Sequence, residues 1–252
     1  MIKKIFKLIF RTSLSEKKIT LKDIFFSDSN ENITRAIKLI KKTEGLFYNN
    51  DIILDIGAYN GDTSKLFSKA FPEIKIMAFE ANPKMYQSAL NNCISNSNIT
   101  LYNAAISDRE EMLNFYVTSN DVSSSLNAIN NKEVHAEEYK VALNVKNEVT
   151  VQAKKLDTYT EEKGILLLKI DTQGHELKVI DGAKKTLQNT KFVLIEMANH
   201  NMYVNGCMYY EVDELMRKNN FKLVDLIVTH RKRGIVVTEY DAIYANKLVN
   251  LN

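Results

Sequence analysis

Four carboxylates, Asp55, Glu80, Asp171 and Glu196, each close or follow a short apolar run of the chain. The runs begin Ile52-Ile53-Leu54, Ile74-Lys75-Ile76-Met77-Ala78-Phe79, Ile165-Leu166-Leu167-Leu168 and Phe192-Val193-Leu194-Ile195. Near-continuous β-branched and aliphatic runs of this length read as strands buried on both faces of a parallel sheet. The acids then stand at successive strand tips, along the edge where an open α/β sheet binds its ligands. Two histidines, His175 and His200, follow Asp171 and Glu196 in the next loops. Acids and imidazoles so grouped can accept hydrogen bonds from a polyhydroxyl ligand, hold a cation or take a proton from a weak nucleophile.

The most informative spacing is Asp55-Ile56-Gly57-Ala58-Tyr59-Asn60-Gly61-Asp62, a glycine loop between a strand and a helix that starts near Thr63. Gly57 lets the backbone adopt conformations closed to other residues and admits a ligand close to the main chain. The glycines are four apart, without the middle glycine that a dinucleotide pyrophosphate needs, and no Gly-Lys-Ser/Thr follows. An aspartate just before the loop suits a ligand with a cationic end, and S-adenosylmethionine is such a ligand. Asp55, Gly57, Ala58, Tyr59, Gly61 and Asp62 are accordingly candidate cofactor residues. Glu80, with Ala81, ends the second strand where doubly wound folds hold a ribose diol. The loop Asn103-Ala104-Ala105-Ile106-Ser107-Asp108 follows the third strand, Ile99-Thr100-Leu101-Tyr102, so Ser107 or Asp108 meets the adenine amino group or simply caps a turn.

The remaining elements place these groups. At 252 residues with 45% hydrophobic content, the chain suits one α/β domain with a modest extension. Residues 1–49 read as an N-terminal helical extension and 50–252 as the main domain, with an insertion at about 110–163. Met112–Thr118 and Val149–Ala153 alternate as strands within that insertion, a natural place for substrate selection. Helices are expected over Asn32–Gly45, Pro83–Cys93, Leu177–Leu187 and Tyr209–Asn219. Phe221–Val228 and Asp241–Ala245 form a closing pair around the basic loop His230-Arg231-Lys232-Arg233-Gly234. The net charge of +3 gives no argument for nucleic acid. Cys93 and Cys207 lack metal or redox spacing, which suits the cytoplasm. Residues 1–22 form a basic amphipathic stretch that either packs on the domain or lies on the inner face of an anionic membrane.

The ordered set resembles the FkbM family of S-adenosylmethionine-dependent methyltransferases over roughly residues 50–245. It is carried by Asp55–Asp62, Phe79-Glu80-Ala81-Asn82-Pro83, Asn103–Asp108, Lys155-Leu156-Asp157 and Lys169-Ile170-Asp171-Thr172-Gln173-Gly174-His175-Glu176. The resemblance implies a class I methyltransferase (Rossmann-like) α/β fold, a doubly wound, mostly parallel sheet with an antiparallel closing strand. It also implies methylation of hydroxyl groups on sugars, glycans or other small acceptors, in bacteria often among surface-polysaccharide genes. The Asn- and Lys-rich, Pro-poor composition fits an AT-rich bacterial genome. His175 and Tyr59-Asn60 depart from the commonest family pattern and bear on the acceptor.

Methyl transfer to an alcohol needs orientation, exclusion of water and a base for the hydroxyl proton. Asp171, His175, Glu196 and His200 are the candidate catalytic groups, and Asp171 also faces the cofactor crevice. Asp171, His175 and Glu196 could instead share a divalent ion such as Mg²⁺, although no ligand spacing demands a metal. A nucleobase amine methyltransferase is disfavoured because no Pro-Pro occurs, and a dehydrogenase because the middle glycine is missing. A non-catalytic module that keeps the fold, or a lipid or nucleic-acid methyltransferase, are the alternatives.

Overall fold

The computed structural model of the protein describes residues 31–43, 51–131, 143–161, 163–232, 236–249 and 251. The expectations for residues 1–22 and for the basic loop beyond Lys232 lie outside these residues. A seven-stranded sheet has the order β3-β2-β1-β7-β8-β10-β9. Its strands are β1 (Ile52–Ile56), β2 (Lys75–Phe79), β3 (Ile99–Tyr102), β7 (Ile165–Ile170), β8 (Thr190–Ala198), β9 (Phe221–Lys232) and β10 (Val236–Asn246). β1 pairs in parallel with β2 and β7, and β7 in parallel with β8. β10 runs antiparallel to both β8 and β9. This is the doubly wound sheet with an antiparallel closing strand that the sequence led us to expect.

Every residue of β1 and β7 is buried, as runs without polar alternation require. One sheet face packs Leu54, Ile56, Phe79, Leu168, Ile195 and Tyr244 into a core with Val179 and Met216. The other packs Ile53, Ile76, Leu167, Phe192 and Ile243 with Phe67 and with α1 (Glu31–Lys42). Ile33, Ala36 and Ile40, three and four apart, form the buried stripe of α1. This helix, part of the N-terminal extension read from the sequence, packs on the sheet as one of its covering layers.

Helix α2 (Asp62–Ala70) follows β1, and α3 (Pro83–Cys93) follows β2 with Asn82 as its cap, its side chain accepting from the Lys84 amide at 3.0 Å. A second sheet, β4-β6-β5, joins β4 (Ala105–Ile106), which precedes the insertion, to β5 (Glu111–Thr118) and β6 (Val145–Lys154) within it. It has its own small core of Ala105, Phe115, Val151 and Ala153. Beyond β6 lie α4 (Asp157–Thr160), then α5 (Glu176–Asp181) and α6 (Lys184–Gln188), and α7 (Tyr209–Lys218). The single helix expected over Leu177–Leu187 is two, because Gly182 passes so close to the Ser107 carbonyl that an added Cβ would lie 1.9 Å from it. The closing strands are longer than the sequence suggested, and His230–Lys232 belong to β9 rather than to a loop.

Phe192 is fully buried between sheet and helices. Phe192→Ala is expected to cost about 3–5 kcal/mol, read as a lower urea midpoint at unchanged slope.

Candidate active site

The loop after β1 is held by β2, whose Phe79 carbonyl accepts from the Gly57 and Ala58 amides at 3.0 Å each. Gly57 has φ +78°, and a Cβ there would lie 1.8 Å from the Asp171 carbonyl oxygen. Only glycine lets the ends of β1 and β7 approach this closely. Glu80 then turns back over the loop. Its Oε2 accepts from the Tyr59 amide and its Oε1 from the Asn82 amide, both at 2.7 Å. Burial, opposed by those two amides, pushes its carboxyl up to about 7. Each oxygen keeps a second lone pair for a ligand diol.

Asp55 does not face the crevice. It is wholly buried, with Oδ2 accepting from Ser64 Oγ at 2.6 Å and Oδ1 lying 3.3 Å from Lys169 Nζ. This corrects its reading as a direct cofactor contact: it neutralises a buried lysine. Lys169 is the residue that sequence reasoning passed over, although a charge inside an otherwise aliphatic strand was the signal. Its ammonium donates to the Gly57 carbonyl at 2.7 Å and lies 3.5 Å from Asp171 Oδ2. Burial works to lower its pKa, but Asp171 and Asp55 outweigh burial and hold it charged.

Beyond Lys169, Gln173 joins two strand tips. Its Nε2 donates to Asp171 Oδ1 at 3.0 Å and to Glu196 Oε2 at 2.5 Å, while its Oε1 lies 2.9 Å from the Tyr203 hydroxyl. Gln173 has φ +56°, a conformation held by neighbours on both sides. Ser125 Oγ donates to the Gln173 carbonyl at 2.8 Å and Asn127 Nδ2 to that of Gly174 at 2.7 Å. Glu176 accepts from the amides of Thr172 and Gly174. Burial opposes ionisation of Asp171, but Lys169 outweighs it and its pKa falls below the carboxylate range. Burial and then the Asp171 charge push the Glu196 carboxyl well up.

His175 is nearly buried, with Nε2 3.0 Å from Ser107 Oγ and Nδ1 3.1 Å from Asn127 Oδ1. Because Asn127 Nδ2 is spent on Gly174, its Oδ1 faces the ring and accepts from Nδ1. Burial lowers the pKa of this imidazole to about 4. With both nitrogens engaged by Ser107 and Asn127, His175 braces the loop after β7 at the cavity wall. No group of three or more metal-ligating side chains occurs among the described residues. His200 Nδ1 lies 3.3 Å from the Thr238 carbonyl, and the residue lines a small pocket that Gln173, Glu196 and Glu239 share, not the main cavity. Asp108 is paired with Lys178 at 2.9 Å and Arg109 at 3.4 Å. Burial acts to raise its pKa, and Lys178 brings it down. Asp108, Ser107 and Gly61 do not line the cavity, whereas Ala104, Ala105 and Ile106, just before Ser107, do.

The cavity itself is about 610 Å³, within the range that encloses a small ligand. Gly57, Ala58, Tyr59, Asp62, Glu80 and Ala81 line one end, beside the apolar Ile56, Phe79 and Ile106. Lys169 and Asp171 sit beside Gly57, Gln173 and Glu196 follow along the tips of β7 and β8, and Glu239 and His230 lie on the strands beyond, while Asn120–Ser124, Phe115 and Leu126 also line the cavity. Sequence reasoning missed Gln173, His230 and Glu239 as well as Lys169. An apolar slot beside a diol acceptor, opening toward acids, fits S-adenosylmethionine: base, ribose and cationic end each meet a matching surface.

A family model described as the methyltransferase FkbM domain matches residues 55–223. Over 186 residues the chain is 27% identical to the 2-O-methyltransferase NoeI of Sinorhizobium fredii (strain NBRC 101917 / NGR234), covering 71% of this chain and 76% of that protein. Among solved structures it is similar to methyltransferase FkbM from Methylobacillus flagellatus KT, at 12% identity and a TM-score of 0.46, covering 79% of this chain. The match spans 45% of that protein's length. It is also similar to magnesium protoporphyrin IX methyltransferase (ChlM) from Synechocystis PCC 6803, at 9% identity and a TM-score of 0.46, covering 86% of this chain and 79% of that one.

Lys169→Met leaves Asp55 buried without its positively charged partner. Unfolding in urea is expected to show a loss of about 3–5 kcal/mol, part of which the second substitution Asp55→Asn restores.

Proposed function

The chain belongs to the FkbM family of S-adenosylmethionine-dependent methyltransferases, and we propose that its acceptor is a hydroxyl group of a sugar, a glycan or another small molecule. The observation that carries this reading is the part of the cavity along β7, β8 and β10, lined by Asp171, Glu196 and Glu239 with the Gln173 amide. Carboxylates and an amide at one surface are the partners that the hydroxyls of a sugar need, each hydroxyl being both donor and acceptor. The 2-O-methyltransferase NoeI, 27% identical, is named for transfer to oxygen and supports the same class.

Within this reading Glu80 accepts the two ribose hydroxyls on its remaining lone pairs, and Phe79 and Ile106 flank the base. The loop at Gly57 and Ala58 lies along the ligand, and the charged Asp171 attracts the ammonium. The bound cofactor supplies an electrophilic methyl carbon on a sulfonium. The protein's own task is to orient the acceptor oxygen in line with that carbon and to keep water out. The insertion wall at Asn120–Ser124 stands where the acceptor enters, which favours a role in choosing it.

Calorimetry with S-adenosylmethionine tests the cofactor end. The ionised Glu80 is the better acceptor, and its carboxyl titrates at about 7. Affinity is therefore expected to strengthen as pH rises through about 7, and Glu80→Gln to weaken binding roughly tenfold or more and flatten that rise. Unchanged affinity in Glu80→Gln would refute the diol assignment. Transfer of labelled methyl to a panel of nucleotide sugars and oligosaccharides, with and without Mg²⁺ and chelator, tests the acceptor. Turnover of hydroxyl acceptors is expected, and methylation of amines or thiols alone would overturn the reading.

A further inference from the structure

We propose that Glu239, at the start of the closing strand β10, is the base that takes the proton from the acceptor hydroxyl. The inference rests on the hydroxyl-acceptor reading above and adds to it the group that activates the oxygen.

Four of the acids near the sheet's carboxyl edge are already committed. Glu80 accepts two backbone amides, Asp171 is bound to Lys169 and Gln173, Glu196 to Gln173, and Asp241 to Asn32. No hydrogen bond or ion pair among the described residues engages the Glu239 carboxylate. It lines the cavity from β10, which the strand order separates from the Glu80 end of β2 by β1, β7 and β8, on the side left for an acceptor. The antiparallel direction of β10 brings it there. Glu239 pairs with Ala198, and Asp241 with Glu196, so the beginning of β10 lies at the same edge as the end of β8.

The local backbone supports a directed side chain. The β9–β10 ladder slips on both sides of Glu239: Val237 pairs with Arg231, Glu239 with His230, and Tyr240 with Val228. The two residues skipped, Thr238 and Thr229, keep buried hydroxyls without a hydrogen-bond partner among the described residues. Bulges that re-aim one side chain, at the expense of unsatisfied polar groups, concentrate beside reacting centres.

The charged and titratable groups near Glu239 are Asp171 and Lys169 from β7, Glu196 from β8, Asp241 from its own strand and His230 across the ladder. Glu176, His200, Tyr203 and Cys207 stand around the small pocket that it also lines. Burial, then the Asp171 charge, raises its carboxyl to about 7. Lys169 is spent on Asp55 and Asp171 and does not reverse this. Above that pH Glu239 accepts the O–H proton while the acceptor oxygen bonds the methyl carbon. The electron pair of the broken carbon–sulfur bond stays on sulfur, leaving a neutral thioether and a protonated Glu239.

The test measures methyl transfer to a hydroxyl acceptor identified from the panel, at saturating S-adenosylmethionine, for wild type, Glu239→Gln and Glu239→Asp. Glu239→Gln is expected to lower kcat about 10²–10⁴-fold, with cofactor affinity by calorimetry within twofold of wild type. The acid limb near pH 7 is expected in wild type and lost from the residual rate, and Glu239→Asp recovers part of the activity. A Glu239→Gln enzyme within threefold of wild type, with its acid limb intact, overturns the base and leaves the hydroxyl reading standing. Wild-type transfer to amines or thiols alone overturns both.

Discussion

The site depends on a single buried cation. The Lys169 ammonium sits between Asp55 and Asp171 and bonds the Gly57 carbonyl, so one side chain ties the tips of β1 and β7 and fixes the loop between them. A lone ammonium at this depth is costly to desolvate and is tolerated only when paired and hydrogen-bonded. Asp55 and Ser64 complete that requirement from below, and Asp171 from the cavity. The same arrangement keeps Asp171 charged while Glu196 becomes hard to ionise. Stability and electrostatic design are here one network, and neither can be altered without the other.

A second restraint acts on the loop after β7. Gln173, in a left-handed conformation, is gripped by Ser125 from the insertion, and its neighbour Gly174 by Asn127. His175 braces the same loop against Ser107, and Tyr203 approaches from the far side. The small sheet is therefore more than a lid over the crevice. It fixes the loop that presents Gln173 to the acids of β7 and β8.

The sheet order was legible because each parallel strand is an uninterrupted apolar run ending in an acid and a turn. Glu80 and Gly57 were legible for the same reason, since strand-end position and backbone conformation are local properties. Asp55 was not, because a one-residue difference in direction along a strand decides between crevice and interior, and its partner Lys169 is 114 positions away. For His175 the two neighbours that engage its nitrogens were hidden, because they come from separate parts of the chain. Glu239 escaped because the search followed the ends of strands, whereas an antiparallel strand offers its beginning to the same edge. β4 is two residues long and carries no periodicity of its own.

The wall formed by Asn120–Ser124 rests on a hydrophobic cluster, Ala105, Phe115, Val151 and Ala153, that is distinct from the two cores of the main sheet. Substitutions there can reshape the entrance without disturbing the packing behind Gly57 and Glu80. A change of volume in that cluster would shift the wall and, through Ser125 and Asn127, the setting of Gln173, while the two larger cores keep their own packing.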